Sequence, residues 1–503
     1  MNALFADCFA IAAPDTPALV SGTDRLTYGE LRDRAERVAA GLWTGGVRPG
    51  DRVAGIYRYH PDVITVVLAC ARLGAVYVPI EWEHAAAQVR AILERIEPAA
   101  IFLEERYLPA LTGALALVGD QRIFLSAAGA AQPLARLDDL DGPRGALPDT
   151  IDQSAPGLMP FTSGSTGRAK GVMLDWRALR CELRMGVRGF RLGPADRVLA
   201  TAGMDSSCAF FDMILGTLAA GGTAHQAPFD AAEVPRLIER ERITMWGGGP
   251  AQVRAVVEAQ RAVPADLSSL RLIWVGGDRA TTALREQALA VFGRPIVDHY
   301  GITEAGICMA APHEARPDKL GSCGTPWPGV EVRLIDDEGR DVAVGEPGEF
   351  LFRSGTIMMG YWRDPEATAA ALRGGWYHTG DIGRVDADGF HWFIGRRGDT
   401  IKRDTGKISA LEVESAIEQH DDVLAAGVIG VPDGDMGEKV RAYVVPRAGH
   451  HLEVRLLDSF LGERIGEYWR PEEYELVAEL PRTPAGKVDR GRLREMAGLS
   501  RQR

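Results

Sequence analysis

A chain of 503 residues, 46% hydrophobic and 25% charged, is too long for one ordinary core and calls for a large composite domain with at least one smaller companion. Its longest apolar run, Val63 to Ala71, is far short of a membrane span, and its first residues lack the basic start and long apolar stretch of a signal peptide, so a cytoplasmic protein with no membrane partner is expected. A formal charge of −12 argues against a nucleic-acid partner and requires any anionic substrate to be held by local groups.

Along the chain, Thr27-Tyr-Gly-Glu30 has the spacing of a capping box, and Leu31, Ala35, Val38 and Leu42 follow on one helical face. Gly45-Gly46 ends that helix, Val53 to Ile56 reads as a buried strand, Asp62 to Leu73 as a helix stopped by Gly74, and Ala75 to Val78 as a strand. The alternation recurs with a helix over Arg236 to Arg242, a strand over Ile243 to Trp246 and a strand over Leu272 to Val275. Strands interleaved with helices predict a largely parallel sheet covered on both faces. From Gly321 to Phe393 the pattern changes to short β-type runs, including Val330 to Ile335 and Glu349 to Phe352, and a small barrel-like or meander region is expected. The charge-rich stretch from Gly395 to Lys407 reads as a linker, followed by a helix over Ala410 to Gln419 and strands over Val423 to Val431 and Val440 to Val445. The fold expected is therefore α/β: a large N-terminal domain over residues 1–395 and a smaller α+β domain over residues 396–503. Cys8, Cys70, Cys181, Cys208, Cys308 and Cys323 are dispersed without a CxxC pair, so buried free thiols are expected rather than a zinc or redox site.

The segment Phe161-Thr-Ser-Gly-Ser-Thr-Gly-Arg-Ala-Lys170 concentrates Thr162, Ser163, Gly164, Ser165, Thr166 and Gly167 in front of a lysine. Hydroxyls and glycines together let side-chain O–H and backbone N–H groups converge on an anion, and Lys170 adds a point charge. It is not a Walker A loop, because the lysine falls three residues after Gly167 with no Ser or Thr behind it.

This segment resembles the phosphate loop of the adenylate-forming superfamily: acyl- and aryl-CoA ligases, adenylation domains of nonribosomal peptide synthetases, and luciferases. Four more motifs resemble the family's in order: Tyr300-Gly-Ile-Thr-Glu304, Tyr377-His-Thr-Gly-Asp381, Gly395-Arg-Arg-Gly-Asp399 and Pro484-Ala-Gly-Lys-Val-Asp-Arg490. The resemblance implies ATP and Mg²⁺ as cofactors. It places Tyr300 near adenine, Thr303 and Glu304 at the phosphates with Glu304 holding the metal, and Asp381 and Arg396 at the ribose. Residues 395–399 would form the inter-domain hinge, and Lys487 would be the adenylation lysine on a C-terminal domain that swings between half-reactions. The sequence departs from the family at Gly398, where a charged hinge residue is usual, and at Asp404-Thr405, where a Gly-Gly pair is usual. Lys402 in the same loop reads equally as a substrate contact of the second half-reaction or as a solvated lysine.

By the same resemblance, the acid pocket would be lined by Asp205, Cys208 and Phe211, by Trp274 and Gly276, and by Ile307. The aromatic residues would make it short and partly apolar, suited to a small acid. Met204-Asp-Ser-Ser207 is similar to the segment whose carboxylate pairs with the substrate ammonium in amino-acid-activating members; a buried carboxylate with no cation would be costly. Counting back from Gly221, however, puts Cys208 at that position, and a β-amino acid would suit the displaced carboxylate. Asp205 also reads as the cap of a helix starting at Ser206. His378-Thr-Gly-Asp381 and Met358 to Pro365 look more like acyl-CoA ligases. A freestanding enzyme that activates a small acid, favoured an amino acid, as acyl-AMP with release of pyrophosphate, and passes it to the phosphopantetheine thiol of a separate carrier protein, reconciles both. An acyl- or aryl-CoA ligase, with CoA as acceptor, is the alternative, and a nucleotide-binding regulator without chemistry is disfavoured because every expected position is occupied. Gly203-Met-Asp-Ser206 also matches a phosphopantetheine attachment site, but it lies between two adenylation motifs, so an external thiol is expected.

Overall fold

Thr27 opens the first long helix as its spacing predicts: its side chain accepts from the Glu30 amide, and the Glu30 carboxylate accepts from the Thr27 amide at 2.8 Å. This reciprocal cap stabilises the helix Tyr28–Thr44 by about 1 kcal/mol, and Leu31, Ala35, Val38 and Leu42 all point into the core. The computed structural model describes residues 2–499 except 58–59, 82–83, 85, 117–122, 127–134, 163–168, 202–212, 277–279, 281, 312–315, 320, 398–399, 404–405, 434–436, 466 and 484–486.

Two large sheets carry the N-terminal part. In the first, Pro156–Leu158, Val76–Pro79, Arg52–Ile56, Ala100–Glu104, Ile123–Ser126 and Ala135–Arg136 run parallel, and Lys170–Asp175 and Gly360–Tyr361 extend one edge antiparallel. In the second, Ile296–Ile302, Leu272–Val275, Met245–Gly248, Arg197–Ala200, Thr223–Gln226 and Pro17–Ser21 run parallel, with antiparallel strands at both edges. The helices Tyr28–Thr44, Asp62–Leu73 and Trp176–Gly189 lie in the core shared by the two sheets, where Val53, Tyr77 and Leu158 of one sheet and Leu19, Met245 and Leu272 of the other are buried in one cluster. Asp62–Leu73 is buried along nearly its whole length, which its unbroken apolar run anticipates. Outer helices such as Ala86–Ile96 and Pro250–Ala262 cover the opposite faces.

Boundaries moved where local backbone geometry overrode periodicity. The helix expected over Arg236 to Arg242 runs Glu233–Glu241, because Asp230 caps its first amides and Pro235 is tolerated in the first turn. Arg242 adopts a left-handed conformation (φ 52°), and the Ile243 amide closes back on Ile238. The following strand therefore starts two residues later than expected, as Met245–Gly248.

The region expected as barrel-like or meander forms an antiparallel sheet, in which Trp376–Val385 pairs with Gly348–Arg353 along one edge and with Leu372–Arg373 and His391–Arg396 along the other. The stretch read as a linker is a correction: it carries a β-hairpin, Thr400–Arg403 with Gly406–Ser409. Ile401 and Ile408 are the reason, since both are buried in the C-terminal core with Val413, Ile417, Val428 and Val440. That core packs helices against Val423–Pro432, Glu438–Pro446 and Glu473–Leu476. Among the described residues no helix is long and apolar enough to cross a membrane. Cys8, Cys70 and Cys308 are buried free thiols, and Cys181 and Cys323 are half-buried ones.

Arg490, the last residue of the C-terminal motif, belongs to this core. Its guanidinium donates to both oxygens of the buried Glu414 carboxylate at 2.7 and 2.6 Å, and the Val428 amide donates to the same carboxylate at 2.7 Å. Burial already raises the Glu414 pKa to about 7, and removing the cation leaves that carboxyl either charged without compensation or forced to take up a proton, so Arg490→Met is expected to cost the C-terminal domain about 3 kcal/mol. Urea unfolding followed by hydrogen exchange in Val423–Pro432 checks this; a loss below about 1 kcal/mol would mean the pair is replaceable by packing.

Candidate active site

Lys170 begins the strand Lys170–Asp175, and Thr162 pairs with it in register, so a short hairpin fixes both ends of the hydroxyl-and-glycine loop. Ser163, Gly164, Ser165, Thr166 and Gly167 lie outside the described residues, as do Asp205, Cys208, Phe211, Gly398 and Asp404-Thr405.

The second edge of that strand is where motifs meet. Gly360–Tyr361 pairs antiparallel with Val172 and Met173, and the Trp362 and Met359 amides donate to the Gly171 and Met173 carbonyls at 2.8 Å each. Gly360 has φ +148°, and a Cβ there would sit 2.6 Å from the Thr368 methyl, so the tight passage requires glycine. One residue before Met359, the Met358 amide donates to the Glu304 carbonyl at 2.8 Å. Residues 358–362 thus tie the phosphate strand to the turn after Ile296–Ile302, which holds Thr303 and Glu304.

Tyr361 is the side chain at this junction. Its hydroxyl donates to the Glu304 carboxylate at 2.9 Å, and the Lys170 ammonium sits 4.8 Å from its ring centroid, a cation–π placement. The Tyr377 hydroxyl is bonded in turn to Tyr361. Burial, with Glu304 adding to it, pushes both phenols far above their ordinary range, so each stays protonated and donates. The sequence reading quoted both tyrosines inside motifs without giving either a role.

Tyr300, in the strand Ile296–Ile302, is packed by Phe352, Phe350 and Phe393 at centroid distances of 5.8, 5.9 and 6.0 Å. Its hydroxyl donates to Asp381 Oδ2 at 2.5 Å. Burial and then the Asp381 charge hold the phenol well above its usual value, which keeps the proton on Tyr300. Arg396 Nε lies 3.1 Å from the other oxygen of Asp381. Next to it, Arg397 pairs with Asp337 at 3.0 Å and with Glu349 at 3.1 Å, and Glu349 also accepts from the Gly380 amide at 2.9 Å. Arg397 was passed over in sequence because its neighbour carried the motif.

Trp274 and Ile307, two of the expected pocket residues, are buried. The Trp274 ring lies 4.9 Å from that of His299 on the adjacent strand, tilted at 46°, beside Gly276. Lys487 is exposed, and its carbonyl accepts from the Thr483 amide at 2.8 Å.

The donor set fits one hard divalent ion poorly caged by protein. Glu304 offers carboxylate oxygen and Thr303, its neighbour in sequence, a hydroxyl, and no group of three or more His, Cys, Asp or Glu residues that could hold a metal exists among the described residues. Magnesium behaves this way, binding through one or two carboxylates with substrate phosphates and water filling the rest.

Residues 9–362 match the family profile described as AMP-binding enzyme, and residues 412–487 match the AMP-binding enzyme C-terminal domain. A feruloyl-CoA synthase from an Amycolatopsis species is 35% identical over 491 residues, 97% of this chain and 97% of that protein. A fatty acid acyl-carrier-protein ligase from Streptomyces coeruleorubidus is 32% identical over 506 residues, 96% of this chain and 93% of that protein. Among solved structures, ATP-bound MatB from Rhodopseudomonas palustris superposes with a TM-score of 0.90 at 26% identity, over 99% of each chain.

Proposed function

The chain belongs to the AMP-binding enzyme family and is an ATP-dependent, adenylate-forming acid–thiol ligase; from that premise we propose that it activates a compact, partly apolar carboxylic acid and passes the acyl group to the thiol of CoA. The observation that carries this reading is the junction at Tyr361, which brings Lys170, Glu304 and Tyr377 together from motifs spread over two hundred residues.

In the first half-reaction the acid's carboxylate oxygen attacks the α-phosphorus of ATP, and the bond to pyrophosphate breaks. Both partners are anions, so the site has to supply positive charge where negative charge grows. Lys170 and the hydroxyls from Thr162 to Thr166 hold the leaving phosphates, and Lys487 stabilises the charge at the α-phosphate. Tyr300, Asp381 and Arg396 position adenine and ribose. Glu304 and Thr303 would hold Mg²⁺, which when bound neutralises phosphate charge. In the second half-reaction the thiolate attacks the acyl carbon and AMP leaves with the electrons of the C–O bond. In this reading residues 1–395 bind acid and nucleotide, and residues 396–503 carry Lys487 in and out.

A compact acid is supported by the buried Trp274 and Ile307 at the expected pocket. CoA as acceptor is supported by the relatives, most of which are named as CoA ligases of aryl or acyl acids, with one named for a carrier protein. A second reading, transfer of an amino acid to a carrier protein, rests on Asp205. ATP–pyrophosphate exchange with aryl, short acyl and amino acids, followed by thioester formation with CoA or a loaded carrier, decides between them. Exchange confined to amino acids, lost in Asp205→Ala by about a hundredfold, would establish the second reading and overturn the first. No exchange with any acid would overturn both.

A further inference from the structure

Lys487 belongs to a stretch of chain that the C-terminal core holds from both sides. On the side before it, the Thr483 amide donates to the Lys487 carbonyl and the Asp489 amide to the Pro481 carbonyl, each at 2.8 Å, with Arg482 and Val488 bridged between them. On the side after it, consecutive residues are each tied down. Val488 lies on the strand Val423–Pro432 at Gly427, where a Cβ would come within 3.2 Å of Val488 Cγ1 and 2.8 Å of Leu493 Cδ1, so bare backbone lets the segment settle close. Asp489 caps the short helix Arg490–Met496, its carboxylate accepting from the Arg492 amide at 3.1 Å. Arg490 then reaches Glu414, on the helix Ala410–Ile417.

Glu414 takes both attachments at once. Its buried carboxylate accepts from one terminal nitrogen of Arg490 at 2.7 and 2.6 Å, and from the amide of Val428, next to Gly427, at 2.7 Å. The strand on which Val488 rests and the residue that opens the following helix are therefore referred to one side chain. An ammonium on a flexible four-carbon stem is delivered only as accurately as its backbone is held. At a reacting centre, misplacement by about 1 Å can cost about a hundredfold in rate.

We propose that Glu414 is a positioning residue for acyl-adenylate formation: through Arg490 and the Val428 amide it fixes the backbone on which Lys487 stands, and so sets where the ammonium is delivered. The inference rests on the reading of Lys487 above as the cation of the first half-reaction, and it adds to that reading the buried group that aims the cation. The C-terminal domain serves both half-reactions, so a pair that only stabilised the domain would matter to both alike. A pair that aims Lys487 matters to the step that uses the lysine.

The test uses the full-length enzyme at pH 8, where Glu414 is ionised because burial raises its pKa to about 7 and no further. Adenylation is followed by ATP–pyrophosphate exchange with the best acid of the aryl, short acyl and amino acid panel, and the second step by thioester formation from the matching synthetic acyl-AMP with CoA or a loaded carrier. Glu414→Gln and Arg490→Met are expected to lower the adenylation kcat by about tenfold or more, while the KM values for ATP and acid and the rate of thioester formation stay within about threefold of wild type. Arg490→Lys, which keeps the cation, should recover part of what Arg490→Met loses. In a Lys487→Ala background Glu414→Gln should lower adenylation no further, because a residue that acts through the lysine has nothing left to place. Wild-type adenylation in Glu414→Gln, equal loss in both half-reactions, or a further loss on top of Lys487→Ala each overturns the inference while leaving the lysine reading in place. Full adenylation by Lys487→Ala alone overturns the lysine reading itself.

Discussion

Lys487→Ala is expected to lower acyl-adenylate formation by about a thousandfold or more while leaving thioester formation from supplied acyl-AMP within a few-fold of wild type. The reason is where charge develops. Attack on the α-phosphate forces two anions together and needs a cation at the phosphorus, whereas the second step attacks an acyl carbon and releases AMP already formed. Lys487 is a suitable cation to withdraw between steps, because it stands exposed in the C-terminal domain rather than in the hydrogen-bonded junction around Tyr361. Pyrophosphate exchange reports the first step, and CoA consumption with synthetic acyl-AMP the second. Equal loss in both, in a folded variant, would refute the division of labour.

Glu304→Gln is expected to cost at least about a hundredfold in the adenylation rate and to move half-saturation by Mg²⁺ to higher concentration. Glutamine preserves the length of the side chain and an oxygen able to accept from Tyr361, so the junction should stay folded while the charge that attracts the ion is gone. Adenylation measured across a Mg²⁺ titration checks both parts. If the variant keeps the wild-type rate and the same Mg²⁺ dependence, the carboxylate is a structural partner of Tyr361 and nothing more. Chelation of the wild type with EDTA should abolish exchange and added Mg²⁺ should restore it.

Much of the fold could be read from local pattern, because local pattern is what made it. Asp62–Leu73 and Leu272–Val275 fall where the sequence placed them: both are apolar runs stopped at glycine, and length separates them, 12 residues making a helix and 4 a strand. The hairpin Thr400–Arg403 with Gly406–Ser409 stayed hidden because only Ile401 and Ile408 anchor it among charged residues, too few to register as alternation. Tyr361 was out of reach for another reason. Its function depends on Gly360–Tyr361 pairing with a strand almost two hundred residues earlier, and long-range pairing leaves no trace in spacing. His299 directly precedes the quoted motif that starts at Tyr300, and its ring lies 4.9 Å from that of Trp274 on the neighbouring strand. For the loop at 163–168 and the segment at 202–212, the motif resemblance remains the ground for their assignment.

Glu349 holds the Gly380 amide, next to Asp381 in the strand Trp376–Val385, with one oxygen and Arg397 with the other. A single carboxylate thus joins the strand that carries Asp381 to the segment that leads into the C-terminal domain. Under the proposed function, with Asp381 at the ribose, any coupling through this joint is reciprocal: a domain orientation that changes nucleotide affinity is itself biased by nucleotide occupancy, by the same free energy. Replacement of ATP by AMP at the end of the first half-reaction would then itself be a signal to rotate.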